Sequence, residues 1–200
     1  MSYDTPSFDV SFADGTSALV SGDAKSARTA FYDAIADGLE NGEAVIVVGT
    51  NDSPTQVIAA LGDRTTVDEE RLAIVDATGE GEDGVVDGVT VRAVGSTGDL
   101  TGLSLAFAKQ LQLLEDRGVA DRVRVGLDTV STLLMYAEVQ TVFRFLHVFT
   151  SRLGSADLLG LFTLTPDMHD EKQVNTVRTL FDTEARVEGG RVSLRGSGYE

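Results

Sequence analysis

Residues 17–48 read SALVSGDAKSARTAFYDAIADGLENGEAVIVV, and this stretch decides the fold class. Ser17–Ser21 is a short apolar segment, and Ala44–Val48 is a continuous β-branched run, which is typical of a strand covered on both faces. Between them, Arg28–Glu40 has the spacing of an amphipathic helix. A strand, a helix and a second strand in this order predict one unit of a parallel α/β sheet.

The same alternation continues towards both ends of the chain. Further strands are predicted at Leu72–Val75, Val89–Val94, Val123–Leu127 and Leu158–Thr165, with a terminal hairpin over Ala185–Leu194. Helices are predicted from Ser53 to Leu61, from Asp99 to Gly118, over Ser131–Leu153 and over Asp167–Phe181. We therefore predict an α/β three-layer αβα sandwich on a mainly parallel sheet, in one domain over residues 1–200 whose core spans about residues 10–196.

Composition excludes several classes of site. The chain contains no cysteine, which excludes disulfides, cysteine-based zinc sites and thiol catalysis. It contains two histidines, too few for a histidine-rich metal cage. No apolar run is long enough for a membrane helix, and the acidic N-terminus is unlike a signal peptide, so we expect a cytoplasmic protein with no membrane partner.

The charge balance indicates a salty environment. Asp and Glu number 32 against 16 for Lys and Arg, a net charge of -16, and only three of the basic residues are lysine. This pattern is typical of cytoplasmic proteins from salt-accumulating organisms, because surface carboxylates keep a protein hydrated while salt screens their repulsion. We expect a halophilic, archaeal source. The same acidity makes nucleic acid an unlikely partner.

Two strand ends carry candidate chemistry, because ligands of open α/β sheets lie at the carboxyl ends of strands. Gly22–Thr29 reads GDAKSART, and a phosphate-binding loop reads G-x-x-x-x-G-K-[ST]. Gly22 and Thr29 match, whereas Ala27 and Arg28 stand where the pattern has Gly and Lys. About a hundred residues later, Asp128 closes an apolar strand, where a Walker-B aspartate would lie.

In this arrangement the chain resembles the RecA superfamily and, within it, the KaiC-like ATPase domains of archaea. The resemblance runs through ALVSG, GLENGEAVIVVGTNDSP, VRVGLDTVSTLL, LLGLFTLT and the closing FDTEARVEGGRVSLRG. It implies a P-loop NTPase fold, ATP or ADP with magnesium as ligand, and assembly into homo-oligomers. Carried over by position, the nucleotide-binding residues would be Gly22, Lys25, Ser26, Arg28 and Thr29, the magnesium ligands Thr29 and Asp128, and the catalytic carboxylate Asp52.

The departures from the pattern predict that hydrolysis is lost. Ala27 adds a Cβ where the loop needs glycine, and the guanidinium of Arg28 is planar and bulky where lysine is compact. Asp52 is shorter than the family's glutamate, so its reach to an attacking water is reduced. We expect a degenerate domain, a pseudo-ATPase with a regulatory or scaffolding role. Whether such a domain still binds nucleotide is a separate question that these departures do not decide.

Alternatives stay open at each position. Lys25 and Arg28 could replace the missing lysine in an active Mg-dependent ATPase, and the superfamily also contains DNA recombination proteins, which the charge opposes. Gly22–Thr29 could equally be an ordinary strand-to-helix turn, and Asp128 could cap the following helix.

The predicted helix Ser131–Leu153 is apolar nearly all round. One face would pack on the sheet, and the remainder needs a second cover. We expect that cover to be another subunit or a protein partner, the alternative being a C-terminal segment of the same chain.

Overall fold

The computed structural model describes residues 2–200. Its strands are β1 (Ser2–Thr5), β2 (Val10–Ala13), β3 (Ser17–Ser21), β4 (Ala44–Gly49), β5 (Leu72–Asp76), β6 (Gly84–Val86), β7 (Val89–Ala93), β8 (Val123–Asp128), β9 (Leu159–Leu164), β10 (Thr183–Glu188) and β11 (Arg191–Gly196). Its helices are α1 (Ala24–Glu40), α2 (Pro54–Gly62), α3 (Leu100–Asp116), α4 (Val130–Tyr136), α5 (Val139–Ser155) and α6 (Glu171–Arg178). Short 3-10 turns lie at Pro6–Phe8 and Pro166–Met168.

A nine-stranded sheet organises the molecule, in the order β11-β10-β3-β9-β8-β4-β5-β7-β6. The seven strands from β10 to β7 are parallel, and β11 and β6 add antiparallel hairpins at the two edges. The register pairs Gly49 of β4 with Asp128 of β8, so these two strands end side by side. The predicted mainly parallel sheet is confirmed.

Helices cover both faces of this sheet. On one face α1 and α2 pack with the β1–β2 hairpin, and on the other α3, α4, α5 and α6 form the second cluster. Gly126 of β8 shows how closely the layers approach, because a Cβ there would lie 2.5 Å from the ring of Phe31 and 2.7 Å from Ile35. The predicted three-layer αβα sandwich is therefore confirmed, and it is built around apolar strands buried on both faces.

The predicted helix Ser131–Leu153 is wrong as one element. The chain is extended at Ala137 and Glu138, which separates α4 from α5. Leu133 is buried in α4 and Leu146 in α5, and at about 100° per residue one continuous helix would place them about 140° apart. The break lets both face the core, so the all-round apolar pattern arose from two amphipathic helices with different phases.

A two-stranded hairpin, β1–β2, that was not predicted lies at the N-terminus. Tyr3 and Phe12 are buried in β1 and β2, which extends the core towards the start of the chain. Arg124 of β8 holds this hairpin by donating to the carbonyl oxygen of Asp4 at 2.9 Å and to Thr5 Oγ1 at 3.3 Å.

The ends of several other elements also differ from prediction. The last helix covers only Glu171–Arg178, after a 3-10 turn, and β6 lies inside the stretch expected to be a loop. Across residues 2–200, no helix combines the length and the apolar character that crossing a membrane requires.

Candidate functional site

The candidate site lies where β4 and β8 end. From this point the chain continues outward in opposite directions, from β4 to β5 on one side and from β8 to β9 on the other. Such a switch point leaves a crevice at the carboxyl ends of the strands. Here the crevice is a cavity of about 450 Å³, which we call the β8 cleft. It is lined by Arg28 and Asp52 on one side, Asp128 and Thr163 at the base, and Met135, Tyr136 and Met168.

Asp128 lies at the base of the β8 cleft and is almost fully buried. Its carboxylate accepts a hydrogen bond from Thr163 Oγ1 of β9. Burial raises the pKa of Asp128, and the negative charge of Asp52 adds to that rise, while the Thr163 hydrogen bond opposes it. The carboxyl of Asp128 is therefore easier to protonate than that of an exposed aspartate.

Asp128 does not cap the following helix, so that alternative is wrong. The cap of α4 is Thr129, whose side chain accepts from the backbone N–H of Ser131 at 3.2 Å. Thr50, directly after β4, ties the two strand ends together across the cis Asp128–Thr129 peptide bond. Its hydroxyl donates to the carbonyl oxygen of Asp128 at 3.0 Å and accepts from the N–H of Thr129 at 2.8 Å.

Arg28 and Asp52 form an ion pair at the side of the β8 cleft. Nε of Arg28 donates to Oδ2 of Asp52 at 2.9 Å, and the hydroxyl of Tyr32 donates to the same oxygen at 2.8 Å. The guanidinium carbon also lies 4.8 Å from the centre of the Tyr32 ring, within cation–π range. Asp52 is thus the ionic partner of Arg28, and Arg28 is directed at a carboxylate rather than into an open anion site.

Burial and charge shift the pKa values of both donors to Asp52. Burial raises the pKa of Tyr32 far above its usual range, and the charge of Asp52 raises it further. For Arg28, burial acts against the charged form, but the hydrogen bond and charge of Asp52 outweigh it and raise the pKa. The three side chains therefore form one unit in which Tyr32 is neutral and Arg28 is charged.

The segment that resembles a phosphate-binding loop is mostly helical. Only Gly22 and Asp23 join β3 to α1, and α1 begins at Ala24. Asp23 caps the helix by accepting from the N–H of Ser26 at 3.0 Å. Hydrogen bonding by the side chain of Ser26, and then by its backbone, lowers the pKa of Asp23. The N–H of Gly22 is bonded to the carbonyl oxygen of Leu164 at 3.3 Å. The link between β3 and α1 is therefore a turn of two residues, Gly22 and Asp23.

The structure separates the residues that the resemblance assigns to nucleotide and magnesium. Arg28, Asp52 and Asp128 line the β8 cleft. Lys25, Ser26 and Thr29 instead line a different cavity of about 320 Å³, beside Asp33 and Val187. Gly22 packs against β10, where a Cβ would lie 2.7 Å from the carbonyl oxygen of Val187. Thr29 and Asp128 are therefore not brought to one cavity.

A nucleotide with magnesium does not fit these residues. A phosphate cradle needs several backbone N–H groups directed at one point around a helix N-terminus. Here the carboxylate of Asp23 occupies the N-terminus of α1, and its negative charge would repel a phosphate. Within residues 2–200, no three acidic or histidine side chains are grouped so that the protein alone could hold a metal ion, whereas magnesium bound with a nucleotide takes most of its ligands from phosphates and water.

Some residues of the site carried no sequence signal, and others did. Tyr32 follows Arg28 by four positions on α1, a spacing that places the two side chains together and could have been used. Thr163 lies inside the apolar strand β9, and nothing local indicates that its hydroxyl faces Asp128.

Three comparisons with known proteins bear on the fold. The family model described as a family of unknown function, DUF7504, matches residues 15–188. No curated protein matches the chain.

Two solved structures from Pyrococcus horikoshii share the architecture. The uncharacterized protein PH0321, whose crystal structure is in complex with an unknown peptide, superposes with a TM-score of 0.67 at 14% identity, covering 92% of this chain and 93% of that one. The KaiC-like protein PH0186 superposes with a TM-score of 0.60 at 13% identity, covering 92% of this chain and 78% of that one. Likeness at such identities shows the fold, which is of the RecA type and KaiC-like.

Proposed function

The chain belongs to DUF7504, a family of unknown function, and we propose that it is a RecA/KaiC-like domain that does not hydrolyse ATP. In this proposal it acts as a regulatory or scaffolding module that binds another protein. The fold supplies the sheet and the cleft at the carboxyl ends of its strands, and the residues at that cleft decide what it binds.

The start of α1 carries this proposal. Phosphoryl transfer depends on backbone and lysine groups that surround the phosphates and on a magnesium ion that bridges them. In this chain the link from β3 to α1 is two residues long, and the carboxylate of Asp23 accepts from the backbone N–H of Ser26 at the N-terminus of α1, a donor that a phosphate cradle would need. Arg28, the replacement for the lysine, is paired with Asp52.

A protein ligand is supported by the structural neighbour PH0321, which was crystallised with an unknown peptide. That peptide is a ligand of PH0321, and for this chain we propose only the same class of ligand, a peptide. A module of this kind would respond to its partner by population shift, since a ligand that binds one arrangement of the strand-end loops better than another favours that arrangement.

ATP turnover tests the loss of hydrolysis. The assay uses the purified chain with Mg-ATP in molar KCl, because the net charge of -16 predicts that folding needs salt. We expect the wild type and Asp128→Ala to release phosphate at the same background rate. Magnesium-dependent turnover in the wild type that Asp128→Ala abolishes would contradict the proposal and support an active ATPase with a divergent loop.

A further inference from the structure

Exposed large apolar side chains are few and unevenly placed. Within residues 2–200 they are Val85, Leu105, Met135, Tyr136, Val148 and Met168. Three of these six, Met135, Tyr136 and Met168, line the β8 cleft and are 65%, 65% and 52% exposed. Single exposed apolar residues are ordinary on protein surfaces, whereas several around one cavity mark a binding surface.

The three side chains come from two elements. Met135 and Tyr136 end α4, and Met168 ends the 3-10 turn Pro166–Met168. Methionine adapts its shape to different apolar partners, and tyrosine combines a large apolar ring with a polar tip, which is why it is enriched at binding hot spots. The cavity of about 450 Å³ falls within the usual range of ligand pockets, about 300–1,000 Å³.

The charge around these apolar side chains is negative. Four exposed acidic residues lie within two residues of cleft-lining positions, Asp23, Glu138, Asp167 and Asp170, against one exposed basic residue, Lys25. Among the described residues that line the cleft, Arg28 is the only Lys or Arg, and it is paired with Asp52. A ligand with a positive charge near the cleft would therefore be attracted, and an acidic ligand would be repelled.

We propose that the β8 cleft anchors a peptide segment of a partner protein, in which a large apolar side chain stands beside a lysine or arginine. The apolar side chain contacts Met135, Tyr136 and Met168, and the basic side chain lies against the acidic residues at the rim. This inference rests on the proposed function only in taking the ligand to be a protein. Salt screens the ionic part of the contact and strengthens the apolar part, so the apolar side chain dominates in molar KCl.

Selection from a displayed library of random peptides tests the proposal. The wild-type chain is the bait in molar KCl. Peptides that also bind a Met135→Ser/Tyr136→Ser variant are discarded, because they bind outside the β8 cleft. The selected consensus is then synthesised with a fluorophore, and its dissociation constant is measured by anisotropy against the wild type, Tyr136→Ala and Met168→Ala. Val148→Ala is the matched control, because Val148 is 66% exposed but lies on α5 away from the cleft-lining residues.

We expect every selected peptide to carry an aromatic residue, leucine or methionine, and we expect lysine or arginine next to it to be enriched more weakly, because molar KCl screens its charge. Tyr136→Ala should weaken binding of that peptide by about tenfold or more, and Val148→Ala should leave it unchanged. All of these side chains are on the surface, so the variants should unfold at the same temperature as the wild type. No enrichment over the counter-selected variant, an acidic consensus, or binding that Tyr136→Ala and Met168→Ala leave intact would overturn the proposal.

The peptide-binding proposal and the proposed loss of ATP hydrolysis can be refuted independently of each other. Peptide binding by a chain that also hydrolyses ATP would keep the cleft as a docking site and refute the loss of hydrolysis. A chain with neither activity would keep the loss of hydrolysis and refute this site.

Discussion

Two arginine–carboxylate pairs lie at opposite ends of the central strands and have similar contact distances, but the arginines differ in burial. Arg124 and Glu43 meet at 2.7 Å beside the start of β4, and both side chains are buried, at 0% and 3% exposed. Arg28 and Asp52 meet at 2.8 Å just after the end of β4, where the Arg28 side chain is 42% exposed. The first pair belongs to the scaffold, and the second belongs to the cleft.

The number of hydrogen bonds explains the difference. Arg124 makes five, two to Glu43 and the others to Thr5 and the carbonyl oxygens of Asp4 and Ala34, which matches the five N–H groups of a guanidinium. A buried charge is tolerated when it is paired and its hydrogen bonds are complete. Arg28 directs its contacts at one carboxylate and keeps an exposed face. Pairing alone therefore does not separate a structural arginine from one at a ligand site, whereas burial and completeness do.

Removing Arg124 should have the largest effect. Arg124→Met leaves the charge of Glu43 buried without its partner, and we expect the free energy of unfolding to fall by about 3–5 kcal/mol. Arg28→Met removes the more exposed partner, at 42%, and leaves Asp52, at 13% exposed, with the hydrogen bond from Tyr32, so we expect a smaller loss of about 1–2 kcal/mol. Denaturant unfolding in molar KCl measures both.

A double variant separates the ion pair from the other contacts. Arg124→Met/Glu43→Leu should recover part of the loss, because no charge is then buried alone, while the carbonyl oxygens of Asp4 and Ala34 still lack their donor. The distinction between the two pairs fails if Arg28→Met costs as much as Arg124→Met.

Crowding around Arg124 should give the next largest effect. A Cβ at Gly38 would lie 2.8 Å from Nε of Arg124 and 2.9 Å from a carboxylate oxygen of Glu43. Gly38→Ala should therefore lower the free energy of unfolding by about 1–2 kcal/mol, despite the higher helix propensity of alanine. Gly62→Ala is the matched control, because nothing lies within 4 Å of its Cβ position. Equal free energies of unfolding for the two variants would contradict this expectation and show that the side chains of Arg124 and Glu43 move aside for the added methyl group.

Asp128 should show a smaller effect that depends on pH. Burial raises its pKa in the folded chain above the ordinary value of 3.8, so the protonated form is favoured by folding. Its contribution to stability is therefore present below pH 3.8 and is lost as the pH rises through the raised pKa. Asp128→Asn has no such loss, so its stability relative to the wild type should increase as the pH rises towards neutral. A difference between the two chains that does not change with pH would contradict the buried, proton-favouring environment.

Much of the fold could be predicted because its signals are local. The apolar runs of β3, β4, β5, β8 and β9 identify strands buried on both faces, and Asp99 and Pro54 stand where the predicted helix starts need them. The Gly189–Gly190 turn of the last hairpin also follows from local sequence. Besides Tyr32, two other missed residues had signals that were available. Arg124 interrupts an apolar strand, which indicates a buried partner, and Asp23 is an ordinary helix cap that the resemblance to a phosphate loop obscured.

The rest of the site depends on contacts far apart in sequence. Thr163 meets Asp128 across 35 positions, and Arg28 meets Asp52 across 24. The register of β8 against β9 brings the first two together, and the packing of α1 beside the end of β4 brings the second two together, and no single segment records either. The break between α4 and α5, which follows the exposed Met135 and Tyr136, likewise goes with the packing of both helices on the sheet.

Thermal unfolding with nucleotides tests the central claim, that the carboxyl edge of this sheet has lost its phosphate site. A ligand that binds only the folded chain raises the unfolding midpoint, by an amount set by its concentration relative to Kd. In molar KCl, Mg-ATP, Mg-ADP and a non-hydrolysable analogue at millimolar concentration should leave the midpoint unchanged. A rise in the midpoint that Thr29→Ala or Asp128→Ala removes would contradict the account and show that the segment after β3 still binds nucleotide.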